Sequence, residues 1–255
     1  MESSPNDQSL TIEESIELIG NAIKGPKINE AQRLNISNFL KFVNNPRFSN
    51  RASLESSLAA CAPLDSLTSF LLPAISRQKF GQNERSVFSF LSSGELSGFK
   101  DYLSHTEFTD DYVFYQADKL WDYLDINLQQ VILASPLGHR WSEASEALLR
   151  AEEKGGAIHM RLTKTVALLD LFGRPFSLNA SAGLLQIALC ESKPTIDKVL
   201  SELGEWSILV FRKHLDAWVI TSGSDIDIEQ EIEKIQPLLE SDINTILQFV
   251  PEQRP

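Results

Sequence analysis

Apolar residues in the first half of the chain recur every three or four positions, which is the spacing of one face of an α-helix. Gly25-Pro26 and Asn44-Asn45-Pro46 interrupt this periodicity and divide it into separate helices. Pro73 is expected to bend or end one helix, because proline lacks the N–H that the helix interior needs. The helices predicted on this basis span residues 12–23, 28–43, 52–60, 64–75, 84–91 with Asn83 as N-cap, 99–103, 109–133 and 141–151.

From residue 157 onward the pattern changes to shorter helices followed by two alternating strands. Ser181 and Thr195 are predicted to cap two of these helices, because a hydroxyl there accepts a hydrogen bond from the first turn. The predicted elements are a helix at 158–171, a turn at 172–175, a minimal strand at 176–178, helices at 181–190 and 196–203, and strands at 206–212 and 217–221. A helix, a strand, two helices and a hairpin is the order of elements in a winged-helix fold.

Together these patterns predict a mainly α protein, with a helical N-terminal domain followed by a winged-helix domain that carries a small β-hairpin. The expected boundaries are a helical domain at 1–135, a connecting helix at 136–156, the winged helix at 157–222 and an acidic helical tail at 223–255.

The charge balance narrows the range of partners. The 255 residues carry a formal net charge of -12, which opposes binding to free nucleic acid or to an anionic membrane surface, because both depend on clustered lysine and arginine. A local basic patch is still compatible with this total.

The N-terminal residues and the cysteines indicate the cellular compartment in which the protein works. The first seven residues are polar and acidic, without the basic and apolar regions of a secretory signal. No apolar run approaches the roughly 20 residues that span a bilayer. Cys61 and Cys190 lie in apolar helical patterns, so two buried thiols in a reducing cytosol are favoured over a disulfide. We therefore expect a cytoplasmic protein that does not bind membranes.

Motifs for autonomous catalysis are absent from the sequence. Neither G-x-x-x-x-G-K-[ST] nor a G-x-G-x-x-G after a strand occurs. The segment Gly94 to Gly98 has its serine one place too late for a nucleophile elbow. The histidines lie too far apart for a metal site, at His105, His139, His159 and His214. We expect no catalytic residue, no metal and no cofactor of its own.

The predicted winged helix raises the possibility of DNA binding. Its second helix would enter the major groove and would need basic or amide side chains facing the bases. Residues 157–222 contain seven basic and six acidic residues, so this region is nearly neutral. Protein–protein packing is therefore favoured over DNA contact. The residues that remain candidates for DNA contact are Lys198, Arg212, Lys213 and His214.

Two segments carry a resemblance to a known family. These are Pro63-Leu64-Asp65-Ser66-Leu67-Thr68-Ser69-Phe70-Leu71-Leu72-Pro73 and Phe80-Gly81-Gln82-Asn83-Glu84-Arg85-Ser86-Val87-Phe88-Ser89-Phe90-Leu91. They resemble the region after the nucleotide-binding core in very large bacterial P-loop ATPases of phage-defence loci, including the BREX type. The resemblance covers about residues 10–230, and Ala62 stands where the family pattern has histidine.

The resemblance implies a lid and a winged helix without the Walker core, as a gene fragment, a split subunit or an excised piece. It also implies that Arg85, beside Gln82 and Asn83, could sense nucleotide phosphates in trans, since guanidinium forms bidentate bonds to phosphate. ATP would be involved only if another chain supplied the P-loop. The alternative is that Asn83 caps a helix and Arg85 pairs with a nearby carboxylate.

Three functional hypotheses follow. The first is a non-catalytic regulatory or interaction module whose partner is a P-loop ATPase core or another protein. The second is a winged-helix DNA-binding regulator. The third, a hydrolase assembled from scattered residues, is the least favoured because no motif supports it.

Overall fold

The computed structural model describes residues 11–23, 25–43, 48, 50–78, 87–107 and 114–221, and these residues are mainly helical. The predicted acidic tail at 223–255 lies outside them. The helices are α1 (Ile12–Ala22), α2 (Glu30–Leu40), α3 (Arg51–Ala60), α4 (Ser66–Ser76), α5 (Val87–Ser92), α6 (Phe99–His105), α7 (Ala117–Leu133), α8 (Gly138–Lys154), α9 (Ala157–Phe172), α10 (Ala182–Leu189) and α11 (Lys193–Glu205). The strands are β1 (Leu209–Arg212) and β2 (Ala217–Ile220). A mainly helical fold with a small hairpin is thus confirmed.

Polar side chains fix where several helices begin. Thr11 and Glu14 form a reciprocal capping box at α1, and Asn29 and Gln32 form another at α2. Ser181 caps α10 as predicted, since its Oγ accepts from the Leu184 N–H. These caps satisfy backbone N–H groups that have no partner within the helix.

The cap predicted at Thr195 is wrong by three residues. The N-cap of α11 is Ser192, whose Oγ accepts a hydrogen bond from the Thr195 N–H at 3.3 Å. Pro194 lies in the first turn of α11, where the missing N–H of proline costs nothing. The helix can therefore begin before the proline rather than after it.

Of the two effects expected at Pro73, an end of the helix is wrong, because α4 continues through it to Ser76, and a bend stays a prediction. Residues 66 to 75 are all buried, so the packing of the whole helix surface outweighs one lost backbone hydrogen bond.

Helix α7, predicted at 109–133, begins at Ala117, because Tyr115 just before it is held in an extended conformation. Residues 109–113 of the prediction lie outside the described residues. Tyr115 forms a parallel bridge with Leu64. Its N–H donates to the Pro63 carbonyl at 2.8 Å, and its carbonyl accepts from the Asp65 N–H at 3.1 Å. These long-range bonds compete with helix formation at this point. They join the start of α4 to the start of α7.

The minimal strand predicted at 176–178 is not a strand. Arg174–Phe176 is a turn of 3₁₀-helix and Ser177 adopts the left-handed conformation, with φ at 56°. Pro175 lies in the first turn, where its fixed φ suits a helical turn. The strand predicted at 206–212 starts later, at Leu209, because α11 runs to Glu205 and Ser207 is left-handed.

The hairpin has a clear register. Strands β1 and β2 are antiparallel, with Leu209 opposite Ile220 and Phe211 opposite Trp218. A 3₁₀ turn at Lys213–Leu215 joins them where a simple polar turn was predicted. The Trp218 N–H donates to the Ala180 carbonyl at 3.0 Å, which attaches β2 to the segment before α10.

One continuous apolar core runs through the described residues from Ile12 to Leu209. Phe70 of α4 contacts the rings of Phe39, Phe48 and Phe176, with centroids 5.3 to 5.6 Å apart. These contacts connect the N-terminal helices to the turn after α9. Chain segments up to Ile220 belong to one compact unit. The predicted subdivision at 135 and 156 stays an interpretation of the sequence.

A second aromatic contact joins α7 to α8. Trp121 and Trp141 stack nearly parallel with centroids 4.1 Å apart, and both are buried. Among the described residues, no helix combines the length and apolar character needed to cross a membrane.

The close approach of α1 to α3 yields a test of the packing. A Cβ added at Gly20 would lie 2.9 Å from the Cβ of Ala60. Gly20→Ala should therefore lower the free energy of unfolding by about 1–2 kcal/mol through overpacking, although alanine ordinarily favours a helix interior. Gly94→Ala is the control, because no atom lies within 4 Å of the added carbon, and it should change stability by less than about 0.5 kcal/mol. Denaturant titration of the variants measures both effects, and a Gly20→Ala protein more stable than wild type contradicts the packing.

Candidate functional site

The residues predicted to sense nucleotide, Gln82, Asn83 and Arg85, lie outside the described residues. Their assignment stays a prediction.

The structure places the DNA-contact candidates on two elements. Lys198 lies on the exposed face of α11, whereas Arg212 ends β1 and the exposed residues Lys213 and His214 form the turn of the hairpin.

The lysines of α11 are paired with carboxylates of the same helix. The Nζ of Lys193 lies 2.9 Å from Asp197, and the Nζ of Lys198 lies 3.7 Å from Glu202. Glu202 is also 2.9 Å from the Nε2 of His159 on α9. The outer face of α11 is therefore close to electrically neutral, with each lysine beside an acid.

The hairpin exposes apolar side chains close to its turn. Phe211 and Leu215 are 40% and 42% exposed, and the half-buried Trp218 ring lies 5.5 Å from that of Phe211. We call Phe211, Leu215 and Trp218 the hairpin patch. The sequence analysis interpreted these residues only as strand and turn positions, because a strand pattern does not show which face is left uncovered.

A cavity of about 310 Å³ lies between α2, the start of α4 and the end of α10. Its lining combines apolar side chains with amides, one carboxyl and one thiol. The lining residues are Asn29, Ala31, Gln32, Asn35, Ile36, Leu64, Asp65, Ser66, Phe114, Gln116, Ile187, Ala188 and Cys190. We call this the α2–α10 cavity. Sequence reasoning missed it, because its walls come from segments about as far apart as residues 29 and 190.

The carboxyl in this cavity belongs to Asp65, the N-cap of α4. Its Oδ1 accepts a hydrogen bond from the Thr68 N–H at 2.8 Å. Burial raises the pKa of Asp65 to about 7, against the lowering effect of its bonds to Thr68, and the charge of Asp118 raises it further. The carboxyl therefore changes its charge close to neutral pH.

Cys190 is the thiol in the cavity, and the prediction that both thiols are buried is wrong for it. Cys190 is exposed, whereas Cys61 is fully buried. Both are free thiols. Cys190 ends α10 in the left-handed conformation, with φ at 54°, which turns the chain away from the core. Partial burial and then the charge of Asp65 raise the pKa of the Cys190 thiol.

The inner wall of the cavity depends on Arg161 of α9. One guanidinium nitrogen donates to the Gln116 Oε1 and the Leu189 carbonyl at 3.0 and 3.1 Å. Another donates to Glu191 at 3.0 Å, and Nε lies 3.5 Å from Asp118. The guanidinium thus holds the start of α7 and the end of α10 together.

The cavity lining supplies hydrogen-bonding amides, one carboxyl and one thiol. Within the part of the chain that the structure describes, no group of three or more histidine, cysteine, aspartate or glutamate side chains could hold a metal ion. Partial burial and then the charge of Asp65 raise the pKa of the Cys190 thiol, which lowers the fraction present as the reactive thiolate.

Comparison with family models, curated proteins and solved structures finds no match to this chain. The proposed function therefore rests on the contacts and charges described above.

The pKa of Asp65 predicts how stability depends on pH. A carboxyl whose pKa is higher in the folded than in the unfolded state stabilises the fold below pH 4 and loses this contribution as the pH rises towards 7. Asp65→Asn keeps the cap but does not titrate. The variant should therefore gain stability relative to wild type between pH 4 and pH 8, by about 1 kcal/mol or more. Urea titrations at both pH values test this, and an equal difference at the two pH values contradicts it.

The neighbouring thiol provides a second test of the same geometry. Removing the charge of Asp65 should lower the pKa of Cys190 and so enlarge its thiolate fraction. Asp65→Asn should therefore speed the reaction of Cys190 with Ellman's reagent at pH 8. Cys61 is the internal control and should react only after denaturation, since it is fully buried. Labelling that is unchanged or slower in the variant contradicts the proximity of the two groups.

Proposed function

We propose that this chain is a non-catalytic interaction module, whose segment from α9 to β2 works as a winged helix that docks onto another protein. The observation that carries the proposal is the surface of α11 and the hairpin, where the lysines are paired with acids and the hairpin patch is apolar.

The order of elements supports the winged-helix part of the proposal. Helices α9, α10 and α11 precede a two-stranded hairpin. The hydrogen bond from Trp218 to Ala180 is of the kind expected if the segment before α10 takes the role of the first strand of a winged helix, beside the second strand of the wing. Gly204 supports close packing of α11 on the hairpin, because a Cβ there would lie 3.4 Å from the Trp218 ring.

The charges favour a protein partner over DNA. Binding to a duplex gains its affinity from cations that neutralise phosphates, and specific readout uses basic or amide side chains in the groove. Lys193 and Lys198 on α11 already contact carboxylates that would repel phosphate. Exposed aromatic and aliphatic side chains, by contrast, are typical of the buried centre of protein interfaces.

The resemblance described above supports a P-loop ATPase core as the partner, in the cytoplasm. On this proposal the chain binds no nucleotide alone, and ATP enters through the partner, with Gln82, Asn83 and Arg85 as candidates for contact with its phosphates.

The alternative is a DNA-binding regulator that uses Lys198, Arg212, Lys213 and His214. The exposure of Lys213 and His214 at the hairpin turn is the observation in its favour.

Site-specific photo-crosslinking in the cells that express the protein tests the proposal. A photoreactive amino acid at position 211 should give a discrete adduct with one protein. The same amino acid at position 149 is the matched control, because Leu149 is also exposed, at 61%, but lies on α8. We expect no adduct at 149, and we expect Leu215→Ser to weaken the adduct at 211, because it removes part of the apolar contact.

Binding to labelled duplex DNA at about 50 mM salt separates the two functions, since electrostatic affinity is greatest at low salt. The interaction module should show no binding. Duplex binding that Arg212→Ala and Lys213→Ala remove, together with no adduct at position 211, would overturn the proposal in favour of the DNA-binding regulator.

A further inference from the structure

The α2–α10 cavity has the size and composition of a small ligand site. Its 310 Å³ is at the lower end of the volumes of ligand pockets and equals the liquid volume of about ten water molecules. Apolar walls, such as Ile36, Leu64 and Ala188, surround a few polar groups. This combination of an apolar body and few polar anchors is typical of sites that bind small organic molecules.

The carboxyl of Asp65 is the charged acceptor in the cavity lining. It can accept about four hydrogen bonds, and the Thr68 N–H occupies one position on it. Asn35 donates through Nδ2 to the Ile187 carbonyl at 3.2 Å, which leaves Oδ1 as the acceptor end of the amide, whereas the amide oxygens of Asn29 and Gln32 already accept backbone N–H bonds. A ligand that donates hydrogen bonds therefore suits the part of the cavity formed by Asp65 and Asn35.

The charges around the cavity favour a cation. The ionisable groups near the lining are Asp118 from α7, which acts on Asp65, and Arg161 from α9 and Glu191 after α10, which act on Cys190. The residues of α2 that line the cavity carry no ionisable side chain. The one cation in this set, Arg161, already contacts Asp118 and Glu191, so it does not neutralise Asp65.

We propose that the α2–α10 cavity binds a small organic ammonium ion, with the ammonium group on the carboxylate of Asp65 and the apolar part against Ile36, Leu64 and Ala188. The ammonium ion would supply the positive charge beside Asp65 that no side chain of the lining provides. The proposal is independent of the docking surface on α11 and the hairpin, since none of the hairpin patch lines the cavity.

Benzylammonium is a suitable probe, with benzyl alcohol and benzoate as neutral and anionic analogues of similar size. Nuclear magnetic resonance titration of the full chain should show binding of benzylammonium with shifts at the amides of Asn35, Asp65 and Cys190. Benzyl alcohol should bind more weakly and benzoate not at all. The bound cation should also slow the reaction of Cys190 with Ellman's reagent, because this thiol lines the cavity.

Asp65→Asn is the decisive variant, because asparagine still caps α4 but carries no charge. It should weaken benzylammonium about ten-fold or more, as expected for the loss of a charge-assisted hydrogen bond, and should change benzyl alcohol by less than about two-fold. In the wild-type protein the affinity for benzylammonium should rise from pH 6 to pH 8, because Asp65 must be ionised while an alkylammonium stays protonated.

Ala31→Phe provides a second variant that leaves Asp65 in place. Ala31 is exposed at the lining, and a larger side chain there should fill the cavity and abolish binding without burying a polar group. The proposal is overturned if benzoate binds as tightly as benzylammonium, if folded Asp65→Asn binds benzylammonium like wild type, or if no probe shifts the amides that line the cavity.

Discussion

The guanidinium of Arg161 is the contact on which much of this architecture depends. It lies on α9, in the middle of the fold, and reaches Asp118 and Gln116 at the start of α7 and Leu189 and Glu191 at the end of α10. A partly buried arginine is tolerated only where its donors are satisfied, and here two carboxylates and two carbonyl oxygens satisfy them. The same contact therefore joins the N-terminal helices to the C-terminal segment and builds the inner wall of the α2–α10 cavity.

A second ion pair between α9 and α7 lies about one turn further along α9. The Nζ of Lys164 lies 2.6 Å from Asp122, four residues after Asp118 on α7. The two basic residues of α9 thus face an acidic stripe on α7. Part of the positive charge of α9 is therefore neutralised inside the fold. On the outer side, α11 pairs its own lysines with acids. Both arrangements reduce the positive charge that this region presents to solvent.

Two consequences follow at the cavity. Arg161 holds the Leu189 carbonyl at the end of α10, where Cys190 caps the helix in the left-handed conformation with its thiol at the cavity and exposed to solvent. Because α4 starts where Leu64 pairs with Tyr115, its N-cap Asp65 lies half-buried among packed helices. The cap that starts the helix thereby becomes an acidic group inside a small cavity.

The sequence by itself determined the helices, most of their ends, the hairpin and the near-neutral charge of the C-terminal region, because these depend on local periodicity, caps and residue counts. Only the tertiary structure decided that α4 continues through Pro73 and that Tyr115 is extended, since burial and long-range backbone bonds outweigh local preference there. The candidate sites divide in the same way. Lys198, the acids Asp197 and Glu202 on the same helix and the basic hairpin turn can all be predicted from the sequence, because pairs four residues apart in a helix are local. The cavity forms only when α2, α4 and α10 pack together. These segments are far apart in the chain, so no local sequence pattern predicts it.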